Sequence, residues 1–224
     1  MIQHKVSRRA GAVGVVVLLL ISVVAVKSGL SNSGAADIPN NGFVAKSICG
    51  ATGKALCVPG VTGPGGGTIF YVDSDNRYPT FTYLEAAPAG WSGAEGKDDP
   101  TLTWCSDITH RIESSVSTWT SRKVGAGKAN TASMIAACKS GAANTIDEYN
   151  KSSRSTVKDW FLPSIGEIIL LTDNMQGLGD LVASDYWSSS EFSDSGGWAQ
   201  SVSHGYQGSA TKNTTFYIRP IRSF

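Results

Sequence analysis

The sequence predicts a mixed α+β domain with short antiparallel strands, two to three helices and long loops. One observation is a strand–turn–helix signal at residues 159–171, and another is the alternation of apolar residues in the C-terminal segment 216–224. The third is composition, because only 41% of the residues are hydrophobic and 25 are glycine. Such a composition favours a loop-rich fold over a helical one.

The clearest local signal is the sequence DWFLPSIGEIILL at residues 159–171. Its apolar beginning is stopped by Pro163, which indicates a buried strand end followed by a turn. Ser164 and Glu167 have the spacing of a capping box, in which each side chain accepts a hydrogen bond from the other residue's amide. The apolar positions that follow predict a helix that ends before Gly177. We interpret this stretch as structural.

Further elements are predicted on both sides of this stretch. The last quarter predicts strands around YWSSSE, GWAQSV and the terminal YIRPIRSF, with a polar turn at residues 204–213 between the last two. Pro220 cannot donate to a strand ladder and is expected at an edge or a bulge. The other predicted elements are strands at Thr68–Val72 and Phe81–Ala86, a helix capped by Asn130 or Thr131 that runs to Cys138, and a helix at Ala142–Tyr149.

Two glycine-rich segments imitate phosphate-binding loops. The segment 63–67 precedes a predicted strand instead of following one, and no Lys-Ser or Lys-Thr pair closes it. The segment 125–128 lacks the preceding glycine and the following hydroxyl residue of a Walker motif. Neither segment is therefore predicted to bind a nucleotide.

The N-terminal segment, residues 1–27, predicts export. Three basic residues precede an uncharged run at residues 10–26, and this run of 17 residues is at the lower limit for a membrane-spanning helix. Basic residues before the run predict that the N-terminus stays in the cytoplasm and that the remainder crosses the membrane. Ser33-Gly34-Ala35 offers a cleavage site. The segment is thus an uncleaved anchor, which we favour, or a cleaved signal peptide.

The remainder of the chain divides into a flexible tether at residues 28–47 and one domain at residues 48–224. Beyond residue 27 the chain has 15 Lys and Arg residues against 18 Asp and Glu residues, a formal charge of −3. A mildly acidic domain without a basic block is not expected to bind nucleic acid.

The four cysteines predict two disulfide bonds, because an even number in an exported chain usually forms a disulfide framework. Three pairings are possible. Loop closure favours Cys49 with Cys57, which leaves Cys105 with Cys138. A zinc site is the alternative, but the chain has no CxxC pair and its three histidines are scattered.

Seven motifs in order between residues 63 and 224 resemble the Lcl C-terminal domain family, a group of bacterial surface domains. They are GPGGGTIFYVD, YLEAAPAGW, NTASMIAAC, DWFLPSIGEI, YWSSSE, GWAQSV and YIRPIRSF. The resemblance implies a C-type-lectin-like fold, related to the formylglycine-generating-enzyme group, whose two ends meet in one sheet. It further implies that Thr68–Val72 pairs near Tyr217–Arg222.

We expect the domain to be an extracytoplasmic surface-binding or adhesion module for a glycan or an envelope or surface protein. The expected site is the late loop at residues 198–213, because aromatic faces stack on sugars while amides and lysine supply directional hydrogen bonds. The alternative is a structural or envelope-assembly domain without a small ligand. Candidate ligand-binding residues are Trp198, His204, Tyr206, Gln207, Lys212 and Asn213, with Arg219 for an acidic group or, alternatively, for a salt bridge to Glu167 or Glu191.

We do not expect an enzyme. The sequence has no GxSxG elbow or HExxH pair, and each cysteine has a plausible disulfide partner. No cofactor, catalytic residue or metal ligand is predicted, and the sequence triplets of calcium-dependent lectins are missing. The predicted partners are therefore a glycan or envelope protein and, through residues 1–27, the membrane.

Overall fold

The computed structural model describes residues 43–93, 98–112, 119–175 and 181–224. These form a mixed α+β domain, as the sequence predicts, and the strands lie in two sheets. The helices are α1 Trp119–Arg122, α2 Gly127–Ala137, α3 Ala142–Lys151 and α4 Ile165–Met175. The strands are β1 Thr68–Val72, β2 Tyr83–Ala86, β3 Thr101–Thr103, β4 Asp185–Ser193, β5 Gly196–Ser201, β6 Gln207–Thr211, β7 Thr215–Tyr217 and β8 Ile221–Ser223.

The N-terminal predictions fall mostly outside the described residues. The membrane segment 1–27 and most of the tether 28–47 belong to that part of the chain. Within the described ranges, none of the helices has the length and apolar character needed to cross a bilayer. The folded domain begins before residue 48, because Phe43 packs on a core cluster and the Lys46 amide donates to the Tyr83 hydroxyl at 2.7 Å.

The smaller sheet contains the first and last strands of the domain in the order β1-β2-β8. The two ends of the domain therefore meet in one sheet, but β1 does not pair with the terminal strand as expected. β2 lies between them, with Thr68 opposite Ala86 on one side and Leu84 opposite Ser223 on the other. All four residues of β2 are buried, which explains why it takes the central position.

The larger sheet has five strands in the order β3-β7-β4-β5-β6. Its pairs are antiparallel except β4 with β7, which run parallel at Tyr186 and Tyr217. β4 is the buried centre, whereas the edge strand β6 alternates between exposed and half-buried residues. The predicted polar turn at 204–213 is therefore a strand with a turn at each end. Pro220 lies between β7 and β8, an irregular position that suits a residue without an amide hydrogen.

The capping box before α4 is present. The Ser164 amide donates to Glu167 Oε2 at 2.7 Å, and the Glu167 amide donates to Ser164 Oγ at 3.3 Å. Just before it, Phe161 and Ile221 exchange backbone hydrogen bonds of 2.8 and 2.9 Å. This isolated bridge attaches the buried strand end at 160–162 to β8, so the stretch 159–171 connects helix α4 with the smaller sheet.

Helix α2 begins at Gly127, earlier than the predicted cap at Asn130 or Thr131. Both residues lie in the helix and are buried, and Thr131 Oγ1 donates to the Gly127 carbonyl at 2.8 Å. The helix start has no side-chain cap of its own residues, but the Gly127 amide donates to Glu167 Oε2 at 3.1 Å. The cap thus comes from another helix, which a local pattern does not reveal.

Both predicted disulfides are present, Cys49–Cys57 and Cys105–Cys138. The second joins the loop after β3 to the residue that ends α2, over a sequence separation of 33 residues. No free cysteine occurs in the described part of the chain. Disulfides of this kind persist in oxidising compartments, which fits an extracytoplasmic protein.

The two glycine-rich loops surround carboxylates of the protein itself. Glu85 accepts hydrogen bonds from the amides of Gly65 and Gly67 at 3.1 and 2.8 Å. Glu167 accepts from the amides of Gly125 and Gly127 at 2.9 and 3.1 Å. Backbone amides that would hold a phosphate in a nucleotide loop thus hold internal carboxylates here.

Glycine is required where the backbone approaches these carboxylates. A Cβ atom at Gly67 would lie 1.8 Å from the Ala86 carbonyl oxygen, and one at Gly127 would lie 2.2 Å from Glu167 Oε2. Both distances are shorter than any tolerable contact. The glycine clusters therefore serve close packing.

Candidate functional site

A groove of about 300 Å³ lies between helix α4 and strands β5 and β6. One wall is formed by Ile165, Gly166 and Ile169 of α4, and the opposite wall by Trp198 and Gln207 of the sheet. A ligand site of this kind is typically apolar with a few polar groups at its rim. Arg122 and Lys123, from the end of α1, complete the lining.

Gly166 lets the segment after α1 approach α4 closely. A Cβ atom at this position would lie 2.8 Å from the Arg122 carbonyl oxygen and 3.0 Å from the Val124 amide nitrogen. Neither backbone atom can move away without shifting the segment. The contact therefore fixes Arg122 and Lys123 at the rim of the groove.

Trp198 is the aromatic residue of the groove. The Arg122 guanidinium lies over its ring, 4.4 Å from the centroid, and the Phe192 ring meets it edge-on at 5.1 Å. A cation over an indole face is attracted by the ring's negative face. Trp198 Nε1 is buried and has no hydrogen-bond acceptor among the described residues. This side chain thus brings an aromatic surface to the groove wall, with one ring face covered by the Arg122 guanidinium.

Gln207 supplies an amide at the rim. Its Nε2 donates to Gln200 Oε1 at 2.8 Å, and the buried Gln200 in turn donates to the Ser201 carbonyl at 3.1 Å. The chain of hydrogen bonds holds the exposed Gln207 side chain in one orientation. Of the predicted ligand-binding residues, Trp198 and Gln207 are the two that line this groove.

The charges of the groove are one-sided. Among the residues that the structure describes, its lining includes Arg122 and Lys123 but no acidic side chain. Lys123 is exposed, so its ammonium group remains hydrated and available to a ligand. The groove therefore favours ligands that present hydrogen-bond acceptors or negative charge.

His204 and Tyr206 lie together at the tip of the β5–β6 hairpin. Their ring centroids are 5.8 Å apart, and 58% of Tyr206 is exposed. Ser203 Oγ and His204 Nδ1 are within 2.8 Å, so the imidazole is also held by its neighbour. Tyr206 borders a small cavity of about 120 Å³ on the face that carries Ala199 and Phe216. Trp198 does not line this cavity.

Lys212 is not an exposed loop residue, contrary to the prediction. Its side chain is fully buried, and Nζ donates to Glu191 Oε1 at 2.6 Å and to the His110 carbonyl at 2.8 Å. Nζ also lies 5.1 Å from the Trp104 ring centroid. Burying an ammonium group requires such partners, and they leave no access for a ligand.

Arg219 is likewise buried and is not placed to meet a ligand. Its Nε donates to both carboxylate oxygens of Asp99, at 2.7 and 2.9 Å, and Nη1 donates to the Ala87 carbonyl at 3.1 Å. The same carboxylate accepts from the Tyr186 hydroxyl at 2.8 Å. Burial raises the pKa of Asp99, and Arg219 opposes this effect. Arg219 thus forms its salt bridge with Asp99 and not with Glu167 or Glu191 as expected.

Asn213 is exposed, but it lies in the turn after β6. His204, Tyr206 and Gln207 lie at the beginning of that strand. Five residues of strand separate the two ends by roughly 15 Å. The predicted loop site is therefore divided between a groove, a hairpin tip, two buried ion pairs and a distant turn.

The other residues of the groove do not stand out in the sequence. Arg122 and Lys123 lie outside the predicted strands and helices, and Ile165 and Ile169 are among the apolar positions that predict the helix after the capping box. The two helix residues lie on the α4 stripe, and Ile169 is half-buried. The apolar stripe of α4 is wider than the face that the helix buries in the core, and this excess was the only sequence signal for the groove.

A third surface cavity, of about 350 Å³, lies beside the Cys105–Cys138 disulfide. The Asp107 carboxylate accepts from the amides of Thr109 and His110, both at 3.0 Å, and these bonds hold its pKa below the usual range. His110 Nδ1 is 3.0 Å from Asp107 Oδ2. This exposed arrangement is a local turn, and no described cluster of three metal-ligating side chains accompanies it.

The chain is only distantly similar to known proteins. No protein-family model matches it, and no curated protein matches it significantly. Among solved structures, a fimbrial protein from Bacteroides ovatus is similar, with a TM-score of 0.48 and 15% identity over 66% of this chain. The chain spans 37% of that protein. Similarity at this level assigns neither a family nor a function.

Proposed function

We propose that this chain is an extracytoplasmic surface-binding module of the lectin-like class, and that the α4–β5–β6 groove binds a glycan of the cell envelope or a host surface. The observation that carries the proposal is the combination of an aromatic side chain, an amide and two cations around an apolar cleft of about 300 Å³. Sugars present apolar faces and many acceptors, and they fit such a lining.

The two disulfides support the location outside the cytosol. We further propose that residues 1–27 hold the domain at the membrane or direct its secretion, because the basic residues before the apolar run orient the chain outward. The resemblance of seven motifs to the Lcl C-terminal domains supports the same reading. A reporter fused after Phe224 tests it, since activity only on the cytoplasmic side would contradict export.

Glycan-array binding of the purified full chain tests the groove. Lys123→Ala and Gln207→Ala remove exposed polar groups from its rim. Each is expected to weaken binding about tenfold if its charge or amide bonds the ligand. Lys54→Ala and Asn174→Ala are the matched controls, because both are exposed and neither lines the groove. Unfolding by urea verifies that all four variants keep their stability.

An empty array would contradict the glycan proposal, whereas equal profiles for the parent, Lys123→Ala and Gln207→Ala would reject the groove as the site. An envelope-assembly role without a small ligand is the second candidate. The feature that favours it is the edge strand β6, which has no neighbour beyond β5 among the described residues and presents a surface suited to protein association.

A further inference from the structure

Strand β6 is an edge of the five-stranded sheet with no described neighbour beyond β5. Ser201 donates to the Tyr206 carbonyl at 2.9 Å, and Lys212 donates to the Ser195 carbonyl at 2.8 Å. Hydrogen-bonded positions alternate along an antiparallel ladder. The backbone groups of residues 206, 208, 210 and 212 therefore face β5, whereas those of residues 207, 209 and 211 face outward. Of these outward groups, the Thr211 carbonyl already accepts from the Thr214 amide at 2.8 Å.

The edge lacks the usual protection against pairing. Its sequence, QGSAT, has no charge and no proline, and the ladder with β5 is regular over all five residues. Proteins commonly protect exposed edges with lysine, proline or a bulge. The one lysine nearby, Lys212, is fully buried and neutralised by Glu191, so it does not protect the edge either.

We propose that β6 pairs with β6 of a second copy of this chain, antiparallel across a twofold axis at Ser209. Three outward-facing positions allow a symmetric register, with Ser209 opposite Ser209 and Gln207 opposite Thr211. The five-stranded sheets of the two copies then form one continuous sheet of ten strands. This association is independent of whether the groove binds a glycan.

The composition of the strand favours a second copy as the occupant. An identical partner requires a self-complementary patch, because a twofold interface places the same residues on both sides. Here every opposing pair is small or polar and uncharged, so no like charges meet. The edge has no charge to select an acidic or basic foreign segment. Five-residue pairing buries little area and predicts a weak dimer that forms at high local concentration, as on a membrane.

Charged substitutions at Ser209 test this proposal. Sedimentation of the purified full chain over a concentration series measures the dimer dissociation constant. Ser209→Lys places like charges directly opposite each other and is expected to raise the dimer dissociation constant at least about tenfold. Ser209→Glu is expected to act in the same way. An equimolar mixture of the two variants is expected to restore the dimer, since each Lys then faces a Glu.

Thr101→Lys is the matched control, because Thr101 is an exposed hydroxyl residue on β3, the opposite edge of the same sheet. It is expected to leave dimerisation unchanged. A parent chain that stays monomeric at every concentration would overturn the proposal, and so would a dimer that tolerates Ser209→Lys. Loss in both single variants without recovery in the mixture would also reject it, because a folding defect is not repaired by mixing.

Discussion

Three buried ion pairs attach the C-terminal segment to strand β4, to the loop before β3 and to strand β2. The distances are 2.6 Å for Lys212–Glu191, 2.7 Å for Arg219–Asp99 and 3.1 Å for Arg222–Glu85. Removing one member of such a pair leaves a buried charge without its partner. The single change is therefore expected to cost more than the simultaneous replacement of both members.

Lys212→Met tests this expectation. The variant leaves Glu191 buried without its ammonium partner and is expected to lose about 3–5 kcal/mol of unfolding free energy. Lys212→Met combined with Glu191→Gln removes both charges and is expected to lose less than Lys212→Met alone. Urea denaturation of the parent and the variants measures these values. Equal losses for the single and the double variant would show that the charge imbalance does not matter.

Tyr71 gives a pH-dependent prediction. Burial, together with the neighbouring Asp73 and Tyr78, raises its pKa from 10.0 to about 12. The unfolded chain then ionises first, so this group's contribution to stability is complete below pH 10 and is lost as the pH rises to about 12. Unfolding free energies measured between pH 8 and pH 11 are expected to fall more steeply for the parent than for Tyr71→Phe. Parallel curves would contradict this assignment.

At the scale of elements, Glu167 connects three backbone segments. Besides closing the capping box at Ser164, its carboxylate accepts from the amides of Gly125 and Gly127. Burial raises the pKa of Glu167, and these amide donors oppose the shift. The start of α4, the loop after α1 and the start of α2 therefore depend on one side chain, which also fixes the rim of the groove.

Glu167→Gln and Ser164→Ala separate the two roles. Ser164→Ala removes a helix cap and is expected to cost about 1 kcal/mol. Glu167→Gln turns one acceptor into a donor that faces backbone amides, so it is expected to cost more, about 3 kcal/mol. Chemical denaturation measures both. A smaller loss for Glu167→Gln than for Ser164→Ala would show that the contacts to the other two segments contribute little.

At the scale of the whole molecule, the disulfides differ in the length of chain they close. The sequence separation is 8 residues for Cys49–Cys57 and 33 residues for Cys105–Cys138. The chain-entropy estimate for such loops is about 2.5 and about 3.7 kcal/mol. Cys105–Cys138 also lies at the junction of the larger sheet with helix α2, so its loss is expected to affect more of the fold.

Replacing both cysteines of one pair by serine tests this difference. Cys105→Ser with Cys138→Ser is expected to lower the unfolding free energy by about 1 kcal/mol more than Cys49→Ser with Cys57→Ser. Thermal or urea unfolding of the oxidised proteins measures the difference. A larger loss of unfolding free energy for Cys49→Ser with Cys57→Ser would show that the short loop stabilises the fold by more than its closure entropy.

The sequence by itself determined what depends on neighbours along the chain. The capping box of Ser164 and Glu167, strand β1 and the pairing of Cys49 with Cys57 follow from spacing, since the residues concerned are close in sequence. Each of these predictions is confirmed by the structure. The same local reasoning selected Trp198 and Gln207 as candidates but gave no sign of the groove that they line together with α4.

The tertiary structure alone decided which side chains are buried and which residues distant in sequence contact each other. Lys212 lies in a polar stretch of sequence that is typical of a loop, yet its side chain is buried. Its partners there are Glu191 and a backbone carbonyl 102 residues away in the chain. Arg122, Ile165 and Trp198 come together only because α4 packs across the larger sheet. Contacts of this kind depend on chain topology, which residue patterns do not encode at long range. The position of β6 at an edge of the described sheet has the same origin, since strand order exists only in the folded sheet.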